Sequence, residues 1–269
     1  HTLDLRTVDQ AGNASQPVSH TWVTDTQLPT GTIHERPLLN DKSDTAKFVY
    51  NTNDNQAGVQ AYCQLDDGEE IACARTTHTY SSIADGPHTF TLRVADTAGN
   101  EVVRSYEWRS DTTAPELAIT ETQPAPLSNQ TSAAFKLLGT DTDGSGIADV
   151  SCRIDEAAWE ACENGNVWNF YTGPFASGTH KFETKVTDVA GNSTSRSHQW
   201  TVDLEKPDVA IATDIGQTKS TSASIKFLST DSGATFECKL DAGAWGACTS
   251  PKAYNDLALG NHVFMVRAV

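Results

Sequence analysis

The segment ADTAGN at 95–100 returns as TDVAGN at 187–192 and as VDQAGN at 8–13. This internal repeat constrains the fold more than any other feature. Asp9, Asp96 and Asp188 lie 87 and then 92 residues apart, and Cys63, Cys152 and Cys238 lie 89 and then 86 apart. A period of about 90 residues exceeds that of the common solenoids and matches the size of a small β-sandwich.

Each unit carries the same landmarks in the same order. A linker with proline comes first: DTQLP (25–29), DTTAP (111–115), DLEKP (203–207). An alternating apolar strand follows: AKFVY (46–50), AAFKL (133–137), ASIKF (223–227). Then come the cysteine hairpins YCQLDDGEEIAC, SCRIDEAAWEAC and ECKLDAGAWGAC, and Gly-x-His at GPHTF (86–90), GTHKF (178–182) and GNHVF (260–264). The AGN loop and a strand ending in Trp22, Trp108 or Trp200 close the unit. In HTFTLRVAD, His88, Phe90, Leu92 and Val94 share one face, and Thr89, Thr91 and Arg93 the other, which is the period of a half-buried strand. Short strands punctuated by Gly, Asn, Asp and Pro, with no long helical period, predict an all-β chain. It reads as tandem immunoglobulin-like antiparallel sandwiches of about seven strands each.

Six cysteines fall as three Cys-x9-Cys pairs, Cys63/Cys73, Cys152/Cys162 and Cys238/Cys248. The even count and fixed spacing predict three hairpin disulfides and an oxidising compartment; reduced buried thiols are the alternative. No second Cys/His pair stands at zinc spacing. Against 35 Asp+Glu the chain has 19 Lys+Arg, for a net charge of −16. Such a surface repels phosphate backbones and anionic lipid and suits solvation or the capture of cations. No apolar run reaches the roughly 18 residues of a membrane span, so neither nucleic-acid binding nor membrane insertion of this segment is expected.

The repeat sets the expected boundaries. Residues 1–25 read as the last two strands of an upstream module, 26–111 and 112–203 as whole modules, and 204–269 as a module lacking its final strand. Either the chain is a window on a longer array, or the final strand comes from another chain.

In a sandwich of this order the AGN loop shares one pole with the loop between the second and third strands and with the arriving linker. Asp111 is expected to meet Asp141, Asp143, Asp188 and Asn192, and Asp25 to meet Asn53, Asp54, Asp96 and Asn100. Calcium takes six to eight oxygens of these kinds, and one ion at each joint would tie two modules. The alternative is a hairpin turn, because Asp accepts local backbone N–H groups and Gly or Asn tolerates positive φ. The joint at Asp203 is the poorest, since its partner loop offers only Asp231.

Nothing in the sequence pairs a nucleophile with a base: there is no G-x-S-x-G elbow and no HExxH. His88, His180 and His262 each open a strand on its apolar face and read as packed. Trp108 and Trp200 read as core. Trp159 and Trp245 sit on hairpins, where they pack over the disulfide or meet a glycan; Trp168 is a third glycan candidate.

The order C-x-LD-x-G-x-W-x-x-C, L-x-x-G-x-H-x-F-x-V-R-A, D-x-AGN, W-x-x-D-x-x-x-P resembles the Ig-like repeats of large bacterial adhesins and biofilm-associated proteins, in a cysteine-bearing subclass. The resemblance covers essentially the whole chain. It implies a multi-module stalk at the cell surface or outside the cell. It also implies calcium at linkers of the DTTAP type, with the linker Asp as a ligand; DTQLP and DLEKP match that pattern only at their ends. The expected role is a structural, non-enzymatic spacer whose partners are neighbouring modules or copies of itself, with a surface glycan or protein as a possible receptor. A filament subunit joined by strand complementation and a glycan-binding module are the alternatives.

Overall fold

Alternation of large apolar and small polar residues dictates the architecture, because a strand with period two buries one face and solvates the other. The computed structural model describes residues 1–56, 58–120, 124–162 and 168–269, with backbone alone at Trp168, Asn169 and Tyr171. Every regular element is a strand. Among the described residues no helix is long and apolar enough to cross a membrane. The chain divides into two compact units, one of residues 1–125, 132–173 and 180–200 and the other of 126–131, 174–179 and 201–269.

The first unit opens with an exposed hairpin, Thr2–Leu5 paired antiparallel with Val18–Thr21. A sandwich follows. One sheet has the order Thr30–Glu35, Ala46–Asn53, Thr77–Tyr80; the other has Asn40–Asp41, Glu101–Ser110, Gly86–Ala95, Gln60–Leu65, Ile71–Cys73. Pairing is antiparallel except where Asn40–Asp41 runs parallel to Arg109–Ser110. Phe48 of the first sheet stacks on Phe90 of the second, with centroids 3.8 Å apart, and Trp108 meets Phe48 edge-on at 5.4 Å. Phe48, Tyr50, Phe90, Leu92 and Val94 are fully buried, each contributing on the order of 2 kcal/mol by removal from water.

A second set of strands repeats this design. Glu116–Ile119, Ala133–Thr140 and Trp168–Thr172 make one sheet, and Ile147–Ile154 pairs with Gly178–Asp188 in the other. Phe135 stacks on Phe182 at 3.9 Å, and Trp200 lies 5.6 Å from Phe135. In the second unit Leu127–Ser128 runs parallel to Thr201–Val202. Ala210–Ile211 pairs with Phe227–Leu228, and Ala223–Ile225 with Lys252–Tyr254. Gly246–Cys248, Phe236–Leu240 and Phe264–Ala268 form a three-stranded sheet. The chain is thus all-β, with several Ig-like sandwiches in tandem.

Cys63–Cys73, Cys152–Cys162 and Cys238–Cys248 are disulfide-bonded, with Cα atoms 5.5–5.8 Å apart, and no free cysteine remains. Each closes a hairpin with a sequence separation of 10. On the loop-entropy account a ring this short contributes about 3 kcal/mol.

Candidate functional site

The AGN loop is built as a turn around its own aspartate. Asp96 Oδ1 accepts the backbone N–H groups of Ala98 (2.9 Å) and Asn100 (2.8 Å), and Asn100 Nδ2 donates to Asp96 Oδ2 at 2.7 Å. Asp188 accepts from Gly191 (2.6 Å), Asn192 N–H (2.8 Å) and Asn192 Nδ2 (2.9 Å). Asp9 does the same with Ala11 and Asn13. The asparagine side chain, then the backbone donors, hold the Asp9 and Asp96 carboxyls below the usual carboxylate range.

At two places this turn carboxylate gains company. Asp111 of the linker, Asp141 of the loop before Ile147–Ile154 and Asp188 offer oxygens that all lie within 4.8 Å of one another. Asp25, Asp54 and Asp96 do so as well. Each trio draws on three separate segments, as the sequence expects. Asp111 and Asp188 are buried, whereas the first trio is half-buried throughout. Neither Asp9 nor Asp203 joins such a trio among the described residues.

The second trio is the more tightly held. Ser145 N–H donates to Asp111 Oδ2 at 2.7 Å and Gly146 N–H to Asp141 Oδ2 at 2.6 Å. A Cβ on Gly144 would run into the Asp141 carboxylate, so a side chain there would force that group to move. Burial raises the Asp141 pKa, and the charges of Asp111 and Asp188 raise it further. In the first trio Asp54 Oδ1 is buried without a hydrogen-bond partner. Clustered carboxylates, one with its pKa raised by burial and then by its neighbours and one with an orphaned oxygen, are donors of the kind that could hold a hard divalent cation.

The other expected ligands fall differently. Asn100 Nδ2 also donates to the Asp25 carbonyl (3.2 Å), and Asn192 Nδ2 to the Asp111 carbonyl (2.7 Å). These amides therefore tie the linker backbone to the turn and present a donor to the carboxylates. Asp143 is exposed at positive φ, 61°, and stands outside the trio; its carbonyl accepts from Arg109 Nη1 at 2.8 Å. Asn53 is exposed, and its carbonyl accepts from Thr30 Oγ1.

Sequence reasoning missed two further constraints. Asp85 accepts Thr112 N–H (2.8 Å), Thr112 Oγ1 (2.9 Å) and Thr113 Oγ1 (2.7 Å), so the linker is pinned without any ion. The hairpin aspartates Asp66, Asp155 and Asp241, all in the left-handed region, pair with His88, His180 and His262 at 2.8, 3.1 and 2.8 Å. The Asp three residues after each of Cys63, Cys152 and Cys238 was the available signal. His262 also meets the Ala258 carbonyl at 2.9 Å. That carbonyl first, then Asp241, raises its pKa. Trp159 lies under Arg153 (4.6 Å) and Lys185 (5.9 Å), and Trp245 under Arg267 (4.6 Å) and Lys239 (5.1 Å). The Trp168 side chain lies outside the described residues.

No family model matches the chain. Exoglucanase B of Cellulomonas fimi is 25% identical over 231 residues, 77% of this chain and 20% of that protein. The chain therefore spans a fifth of that relative's length. Among solved structures, a tetra-tandem repeat in the extending region of a large adhesion protein aligns with 100% of this chain and 81% of its own at 14% identity and TM-score 0.33. Fibronectin(III)-like modules of Clostridium thermocellum CbhA align over 64% of this chain and 94% of theirs at 12% identity and TM-score 0.39. An ICAM-5 ectodomain fragment aligns over 89% and 75% at 14% identity and TM-score 0.44.

Proposed function

We propose that the chain is a non-enzymatic spacer in an extracellular or cell-surface array of Ig-like modules of the adhesin type. Its modules meet near residues 25, 111 and 203, and calcium braces the first two joints. Three acidic oxygens from three separate segments at each of two successive joints carry this reading, because uncompensated carboxylates at such separations repel one another. At the 111 joint Asp111, Asp141 and Asp188 would hold the ion, and at the 25 joint Asp25, Asp54 and Asp96. Bound calcium supplies the positive charge that cancels the repulsion. Asn100, Asn192 and Asp85 position the linkers. The disulfides support an oxidising location. The partners of such a spacer are the modules on either side of it.

Small-angle scattering and thermal melting, with calcium and with a chelator, test this. Calcium should raise the melting temperature and lengthen the particle. Identical curves in both conditions would leave the trios as hydrogen-bonded turns and refute the cation brace.

A further inference from the structure

Within the first compact unit an open hollow of about 390 Å³ is lined by Trp159, Glu183, Ser195, Arg196 and Ser197. Glu183 alternates with the buried Phe182 and Thr184, so the hollow lies on the outer face of its sheet. Trp159 is 41% exposed. Its ring is nonetheless held in place. Arg153 stacks on it with the guanidinium carbon 4.6 Å from the centroid, and Arg153 Nε donates to Glu183 at 2.8 Å. An aromatic ring fixed at the surface loses little freedom when a ligand covers it.

The charges around the ring do not cancel. Glu183 is shared by Arg153 Nη2 and Lys181 Nζ, each at 2.7 Å. Lys181 first, then Arg153, hold its carboxyl below the usual range. Lys185 Nζ stands 5.9 Å from the Trp159 centroid, and Arg196 Nη1 donates to the Ser195 carbonyl at 3.1 Å. Neither Lys185 nor Arg196 has a carboxylate partner among the described residues. Two unpaired cations thus flank an exposed indole on a chain of net charge −16.

The other repeats neutralise the cation at this position. Arg93 follows His88 by five residues as Lys185 follows His180. It is paired with Glu70 through Nε at 2.8 Å and with Glu101 through Nη1 at 2.8 Å. Arg267, five residues after His262, also stacks on a tryptophan, Trp245 at 4.6 Å, and donates to Glu237 at 2.7 Å. Around Lys185 all three of these acidic positions have changed. Trp159 stands where Glu70 stands, seven residues after the first cysteine of its hairpin. Ser193 stands where Glu101 stands, seven residues before the strand tryptophan, and Ser151 stands where Glu237 stands, just before the cysteine. Ser151 lies directly opposite Lys185 across the strands.

We propose that this hollow binds an anionic sugar residue, a hexuronate unit of an acidic polysaccharide. The uronate carboxylate would meet Lys185 and Arg196, and a C–H face of the ring would lie against Trp159. The ring hydroxyls would donate to Glu183 and exchange hydrogen bonds with Ser195 and Ser197. An aromatic wall with a few placed polar groups is the usual make-up of a small-molecule site. Glu183 decides between ligand classes. An ionised carboxylate accepts hydrogen bonds and donates none, so it rewards hydroxyl groups, which a run of acidic peptide side chains lacks. The overall charge of −16 opposes the dense phosphates of a nucleic acid. None of these residues belongs to the aspartate trios, so the site does not depend on calcium at the joints.

Isothermal titration of the full chain with a galacturonate oligomer, in chelator, tests this. The chelator keeps calcium from bridging the oligomer to the acidic joints. The oligomer should bind, and more weakly as salt rises. Lys185→Gln and Arg196→Gln should each lower the affinity about tenfold or more at an unchanged melting temperature, since neither side chain has an ion pair to lose. Trp159→Glu copies the arrangement in which Glu70 neutralises Arg93; it should fold, and it should abolish binding. The methyl-esterified oligomer keeps the rings without the charge and should not bind. Oligoglutamate keeps the charge without rings or hydroxyls and should not bind either. No heat with the galacturonate oligomer overturns the proposal. So does an affinity indifferent to Lys185→Gln and Arg196→Gln, or oligoglutamate bound as tightly as the sugar.

Discussion

Asp141→Asn is the substitution that best separates a cation site from a hydrogen-bonded turn. Asn keeps an oxygen for the Gly146 N–H, 2.6 Å away, and removes only the charge. Two unit charges at 4.8 Å, the outer limit of the trio, repel by about 0.9 kcal/mol in water and about 3.5 kcal/mol at an effective dielectric of about 20. Asp141 is half-buried, and solvent screening brings its share of two such repulsions to roughly 1–2 kcal/mol. The metal-free variant should therefore be more stable than the wild type, with a melting temperature higher by roughly 4–8 °C per kcal/mol for a domain of this size. In calcium the order should reverse. At a hundredfold excess over its dissociation constant, an ion binding only the folded state contributes about 2.7 kcal/mol to the wild type, and the variant forfeits most of it. The pH dependence in chelator has a definite sign. A carboxyl whose folded pKa lies above its ordinary 3.8 favours folding below that value, and the contribution is lost as pH rises through the raised pKa. Wild type and variant should thus converge as the pH approaches 4. Calorimetric melts of both proteins in calcium and in chelator check all three expectations. A variant less stable in chelator, with an unchanged calcium response, would refute the repulsion argument.

Gly144→Ala places a Cβ 2.2 Å from Asp141 Oδ1, and should abolish the calcium-induced rise in melting temperature at the 111 joint. Asn192→Ala removes the donor shared by the Asp111 carbonyl and the Asp188 carboxylate; melts in chelator should show a loss of about 1–2 kcal/mol. His262 should titrate above 6.5, its ordinary value, by NMR, and move back toward it in Asp241→Asn. That pair stabilises most between about pH 4 and 6.5: Asp241, held low, loses its contribution as pH falls, and His262, held high, loses its own as pH rises. Replacing Cys152 and Cys162 together by Ser should cost about 3 kcal/mol in a denaturant melt.

The sandwich core was legible because a strand advertises its buried face every second residue. His88, Phe90, Leu92 and Val94 follow that rule, and Trp108 and Trp200 fall on the inward phase. The convergence of Asp111, Asp141 and Asp188 was legible because repeat order fixes which loops share a pole. The role of an asparagine was not, because the same amide can offer an oxygen or a donor, and composition does not say which. Asn100 and Asn192 offer the donor to carboxylate and carbonyl alike. The His–Asp clamps were hidden for a different reason. The partners are 21 to 25 residues apart, and only a left-handed Asp at the hairpin aims its carboxylate at the neighbouring strand.

Asp9, Asp96 and Asp188 each accept local backbone donors and the asparagine four residues on, so the turn alone explains why the motif recurs. It does not explain why Asp96 and Asp188 each stand beside two further carboxylates. A turn needs one acceptor, and adding Asp54 with a buried, unpartnered oxygen or Asp141 with a raised pKa works against stability unless something positive offsets it. At the second joint Arg109, whose Nη1 donates to the Asp143 carbonyl, is the last and smallest influence on Asp141, and burial with the neighbouring carboxylates outweighs it. If calcium supplies the balancing charge, as proposed, stability at the two joints should follow the concentration of a divalent cation.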